Sequence, residues 1–121
     1  MAGKVVINLA TGLEDAERVT VAFLIGGAAA ERGRPVAMFL TKEAVRLGQD
    51  GFAAAVACDG CPPLPRLLAQ YAERGGELLV CPICLSARGL DAARLSANAR
   101  LAGATPLLEW IGDDAATVFS Y

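Results

Sequence analysis

Short runs of apolar, branched residues recur along this chain without polar alternation, and each leads into a segment punctuated as a helix. Residues 4–10 carry Val5, Val6, Ile7 and Leu9 almost unbroken. A strand apolar on both faces has to be covered on both, which is the condition of a parallel sheet. Residues 35–40, with Val36, Met38, Phe39 and Leu40, repeat the pattern, as do residues 77–80, with Leu78, Leu79 and Val80. Residues 100–102 and 116–121 are weaker versions of it.

Helical punctuation fills the intervals. Thr11 and Glu14 have capping-box spacing, which predicts a helix from near Leu13 to about Arg32, stopped by Gly33. Thr41 is placed to cap a short helix over 42–47, and 48–58 reads as loop with a helical or extended fragment. Pro62 and Pro63 open a helix through Arg74, with Leu64, Leu67, Leu68 and Tyr71 on one face. Residues 85–94 read as a helical turn or two broken at Gly89. Thr105 and Pro106 read as the cap and first residue of a helix over 106–111. Strands separated by such helices imply right-handed crossovers. The expected fold is one α/β domain over 1–121, in three layers: a mostly parallel sheet of about five strands with helices on both faces.

Composition narrows the setting. The apolar fraction is 55%, above the usual level of roughly 45–50%. The excess fits strands covered on both faces, or an apolar surface buried in an oligomer. Lysine plus arginine total 11 against 13 acidic residues, a net charge of −2. With no basic stripe, nucleic acid and anionic membrane are not expected partners. The longest apolar run, 19–30, is too short to cross ~30 Å of hydrocarbon. The opening residues lack the pattern of a secretory leader, so a cytoplasmic location is expected, where thiols are mostly reduced.

The chain has no histidine and four cysteines, in two pairs: Cys58-Asp59-Gly60-Cys61 and Cys81-Pro82-Ile83-Cys84. A Cys–His couple, a Ser–His–Asp triad and a mixed Cys/His zinc site are therefore excluded. In a parallel sheet, chemistry gathers beyond the carboxyl ends of the strands. Cys81 falls at the end of the third strand. Thr11 and Gly12, after the first strand, share that edge, as does the start of the preceding helix at 58–63, so the two pairs are expected to be neighbours. Four chemistries suit them. Cys58, Cys61, Cys81 and Cys84 have the spacing of an all-cysteine zinc site, in a metal-binding or regulatory module without catalysis. The interval between the pairs, however, belongs to a core that should fold without metal. Cys81 and Cys84 also form a strand–CxxC–helix unit in which a helix dipole favours a thiolate, as in dithiol oxidoreductases. Alternatively Cys81 accepts a sulfane sulfur and passes it on. That chemistry needs a thiolate, access and positive potential, but no imidazole, and turn amides with Arg88 can supply the potential. Finally, all four can be small buried apolar residues. Asp59 reads first as a turn residue, Trp110 as a packing or interface anchor, and Gly26-Gly27, in mid-helix, is no phosphate loop.

Residues 79–90, running Leu79-Val80-Cys81-Pro82-Ile83-Cys84 and on through Arg88-Gly89-Leu90, resemble the signature of the DsrE/DsrF-like family, which includes the YchN-type proteins. Residues 4–11, 37–45, 60–64 and 118–121 are similar to that family's opening strand, second strand with the short helix after it, lead into the next helix, and closing strand. The resemblance implies a compact flavodoxin-like, DsrEFH-like fold and association as homo-oligomers, trimers or hexamers. It also implies a role in sulfur trafficking, with Cys81 as persulfide carrier or sulfurtransferase nucleophile. Cys84 and Arg88-Gly89 occupy the flanking motif, and sulfur donor and acceptor proteins are the implied partners. The pair Cys58–Cys61 is an addition to the pattern of the better-known sulfur-relay members, leaving room for a resolving dithiol or a metal. No cofactor is expected, although the four-cysteine set would admit zinc. Leu24, Trp110 and Phe119 are candidate subunit contacts.

Overall fold

The computed structural model describes residues 3–121. Five strands, β1 (Lys4–Leu9), β2 (Val36–Leu40), β3 (Glu77–Val80), β4 (Ala99–Leu101) and β5 (Ala116–Ser120), form one sheet in the order β4-β3-β2-β1-β5. Every pairing is parallel. The helices are α1 (Ala16–Glu31), α2 (Leu64–Glu73), α3 (Pro82–Ala87) and α4 (Ala104–Ile111). The steps from β1 to β4 all move one way across the sheet. Right-handed crossovers then put α1 and α2 on the same face. The step from β4 back to β5 reverses direction and sends α4 across the other face.

Two cores result. The larger gathers Val5, Ile7, Leu9, Val36, Met38 and Leu40 under α1 and α2, with Phe23 and Tyr71 as its aromatic centre. The smaller joins Ala37, Leu79 and Ala102 to Phe39, Leu107 and Trp110 under α4. Trp110 is thus an intrachain packing residue, and its indole N–H donates to Glu77 Oε2 at 2.9 Å. Lys4 Nζ completes the arrangement by donating to the Ile111 carbonyl at 2.9 Å and pairing with Asp114 at 2.8 Å. A cation there complements the carboxyl end of α4. Phe119 packs against the larger core, and Leu24 is exposed. α4 is only 8 residues long, about 12 Å, so it covers part of its face. Val118 on β5, in register with Val6, is 58% exposed there. Among the described residues no helix is long and apolar enough to cross a membrane.

Several local expectations shift. α1 begins at Ala16, because Asp15 rather than Thr11 is its cap: its carboxylate accepts from the Arg18 N–H at 3.0 Å. Glu14 reaches back to the Gly12 N–H instead, at 2.7 Å. Residues 42–48 form a 3-10 helix, with no side-chain bond from Thr41, and a second 3-10 turn, Phe52–Ala55, interrupts the loop. α4 starts at Ala104 with Gly103 at the cap position. Pro106 is accommodated inside the first turn because those N–H groups have no helical acceptor. The largest shift concerns 85–94: helix α3 starts at Pro82, inside the cysteine motif, and only a 3-10 turn, Ala92–Arg94, follows Gly89.

Tyr71 ties the larger core together. Its ring meets Phe23 edge to face, centroids 5.8 Å apart, and its hydroxyl donates to the Glu77 carbonyl at 2.7 Å. Burial pushes its pKa far up, so it stays a neutral donor. Tyr71→Phe, which leaves that acceptor short of its donor, should lower stability by about 1 kcal/mol. The check is the urea midpoint at unchanged m-value; a midpoint equal to wild type would refute the role given to the hydroxyl.

Candidate active site at the carboxyl edge of the sheet

Past the strand ends the parallel ladder continues for one more bond per loop. The Thr41 N–H donates to Leu9 O, the Cys81 N–H to Leu40 O and the Ala102 N–H to Val80 O, each at 3.0 Å. The loops leaving β1, β2 and β3 therefore start in fixed register along one edge. Cys81 occupies the extended cap position of α3, and Pro82 the first helical one. Proline fits there because its φ is preset and its missing N–H would be unbonded anyway. Leu85, 3% exposed, anchors the helix beneath, and its N–H returns to Cys81 O at 3.0 Å.

Three residues on, Cys84 lies on the same face of the turn as Cys81. Both are free thiols of intermediate exposure, and both pack on the edge of the larger core. Between them Ile83 is 81% exposed. This is a pair of thiols on one short rigid turn, neither entombed nor fully open, with an apolar side chain projecting beside them.

Arg88 is placed differently from either role considered for it. Its Nε donates to Glu43 Oε2 at 2.5 Å and its Nη1 to the Cys84 carbonyl at 3.1 Å. It is neither a loose surface cation nor an open anion holder; it clamps the end of α3 to the segment after β2. Glu43 also accepts from Arg46 Nε at 2.9 Å. Gly12 explains why the loop after β1 can join: a Cβ there would lie 2.6 Å from the Glu43 carbonyl oxygen, so only glycine permits the approach. Thr11 is buried at 8% beside it.

Sequence reasoning missed Glu43. Its pairing with Arg46 at i,i+3 was readable, but the contact with Arg88, 45 positions away, was not. Lys42, just before it, was missed as well. It has φ +52, a left-handed backbone costing a lysine roughly 1–2 kcal/mol, and this kink delivers Glu43 to its two partners.

The other cysteine pair is bridged: Cys58 and Cys61 form a disulfide, Cα–Cα 5.3 Å, where free thiols were expected. It sits on the loop before α2, with Cys58 Sγ 3.8 Å from Thr20 Oγ1 of α1. Asp59 and Gly60 form the exposed turn inside the bridge. Among the described residues no three Cys, Asp or Glu side chains converge as metal ligands, so the two pairs are not gathered into one set. The physical reason lies in the loop, which passes over α1 before α2 begins and carries Cys58 to the helical layer, whereas Cys81 stays on the ladder.

The fold and site together define a parallel α/β protein with a free Cys-x-x-Cys turn on a strand end. The family model described as the DsrE/DsrF-like family matches residues 4–120, and the chain belongs to that family. An uncharacterized protein of Methanopyrus kandleri, MK0008, is 30% identical over 103 residues, covering 85% of this chain and 82% of that one. Among solved structures, the ychN protein of E. coli superposes with a TM-score of 0.78 at 16% identity, over 100% of both chains. Protein MTH1491 of Methanobacterium thermoautotrophicum, described as of unknown function, gives 0.69 at 12% identity, over 96% of this chain and 98% of that one. At these identities the structural likeness speaks for the fold.

Arg88, and after it Arg46, holds the Glu43 carboxyl below the usual range near 4.5. A carboxylate with a depressed folded pKa stabilises the fold above its unfolded pKa, and that contribution disappears as pH falls through the folded value. The stability difference between wild type and Arg88→Gln should therefore hold steady from neutral pH to about 5 and shrink below the usual carboxylate range. Urea midpoints of both proteins across that window check it. A difference that grows on acidification contradicts the assignment.

Proposed function

We propose that this protein carries sulfane sulfur on Cys81, as a persulfide carrier or sulfurtransferase in a sulfur relay. The observation that carries the reading is the pair of free, partly exposed thiols of Cys81 and Cys84 on one turn at the carboxyl edge, in a chain with no histidine. Membership of the DsrE/DsrF-like family supports it. The Cys81 thiolate attacks the outer sulfur of a donor persulfide. A new S–S bond forms on Cys81, the donor's S–S bond breaks, and the donor leaves as a thiolate. An acceptor thiolate then attacks the same outer sulfur, and Cys81 leaves as a thiolate in turn. No electrons are gained or lost overall, and no general base is required when the attacking thiol is already ionised. Cys84 provides a second exit. Its thiolate attacks the inner sulfur, expels hydrosulfide and closes a Cys81–Cys84 disulfide, which a dithiol reductant resets.

Incubation with a persulfide donor followed by intact mass measurement tests this. Wild type should gain sulfur in steps of one atom, Cys81→Ser should gain none, and Cys84→Ser should hold its added sulfur longer. Equal loading of Cys81→Ser and wild type would exclude Cys81 as the carrier.

We also propose that the working form is a homo-oligomer, trimer or hexamer, built on the sheet face that α4 leaves bare. Val118 is exposed at 58% and Leu108 at 66%, on a chain whose apolar fraction is already high. Such surface normally belongs to an interface. Val118→Lys should convert the protein to monomer in light scattering without loss of helical circular dichroism; an unchanged mass would place the interface elsewhere.

A further inference from the structure

We propose that Glu43 is a positioning residue for the Cys81–Cys84 turn, acting through Arg88. The inference rests on the sulfur-carrying reading of that turn and adds the residue that aims it. Glu43 touches neither thiol in any contact described above. Its carboxylate receives Arg88 Nε at 2.5 Å and Arg46 Nε at 2.9 Å, while its backbone carbonyl lies against Gly12. One residue thus joins the loop after β1, the segment after β2 and the helix after β3.

The consequence for the thiols follows from what Arg88 does with its other nitrogen. The carbonyl of Cys84 lies near the end of a helix of 6 residues, where carbonyls have no helical N–H to accept. Arg88 Nη1 supplies that donor at 3.1 Å. With its Nε on Glu43 and its Nη1 on Cys84, the planar fork fixes the end of α3 relative to the sheet edge. The other end of α3 is fixed by the Cys81 N–H on Leu40 O. Held at both ends, the turn presents Cys81 and Cys84 in one relative orientation. Without Glu43 the guanidinium, 22% exposed in its side chain, turns to solvent and the Cys84 end of the turn is released. The left-handed backbone of Lys42 fits this role, since strained backbone persists where its surroundings require it.

The test reads the geometry of the turn directly. Limiting iodoacetamide is divided between Cys81 and Cys84, and the partition is measured by peptide mass in wild type, Glu43→Ala, Arg88→Ala and the double variant. Positioning predicts that both single variants shift the partition in the same direction, by about threefold or more, and that the double variant shifts it no further, as for members of one coupled unit. An electrostatic effect predicts the opposite: removing the carboxylate and removing the guanidinium change the local charge with opposite sign, so shifts in opposite directions overturn the proposal. Additive shifts, or none, overturn it too. Arg88→Lys and Glu43→Gln, melted alongside, serve if an alanine variant does not fold. Lysine keeps the charge but loses the fork and should not restore the partition, whereas glutamine keeps an acceptor and should restore part of it; a wild-type partition in Arg88→Lys is a further refutation. Failure of wild type to take up sulfur would sink the sulfur-carrying reading and leave the partition result standing on its own.

Discussion

The backbone ladder of the parallel sheet outlasts its strands, and the organisation of the carboxyl edge depends on that extension. Each loop leaving β1, β2 and β3 begins with an amide bound to the neighbouring strand's last carbonyl. These bonds hold Cys81 at a defined height above the sheet, where an irregular loop would let it drift. Everything later on that edge is local: a proline that starts the helix, a leucine that anchors it, and an arginine that closes it. The site needs few residues because the sheet has already placed them.

Much of this was legible in the chain. The unbroken apolar runs identified four strands nearly to the residue, and β4 shifted by one position because so short an edge strand carries little pattern. The strand-end position of Cys81 followed from topology alone. What stayed hidden was long-range or a matter of competition. Asp15 displaced Thr11 as the α1 cap because two acceptors stood close together and only geometry selects between them. α3 was placed too late because a proline between two cysteines reads as a metal knuckle as readily as a helix start. Glu43 was invisible because its partner lies on another strand's loop.

The two cysteine pairs have the same local spacing and different fates. Cys58 and Cys61 flank Asp-Gly, a turn that folds one sulfur back onto the other. Cys81 and Cys84 flank Pro-Ile at a helix start, which keeps their thiols side by side but unbonded. Spacing alone does not decide thiol chemistry; the residues between the cysteines and the element they enter do.

The pairing of β1 has a bearing on how the chain is made. β1 lies between β2 and β5, in register from Lys4 with Ala116 to Asn8 with Ser120. During synthesis β1 can join β2 early, but its other flank stays open until residues 116–120 have left the ribosome. A nearly complete nascent chain thus displays an unsatisfied apolar strand edge, the kind of surface that pairs with the wrong neighbour. Protection of that flank, by a chaperone or by slow delivery of the final residues, is a cost written into the topology.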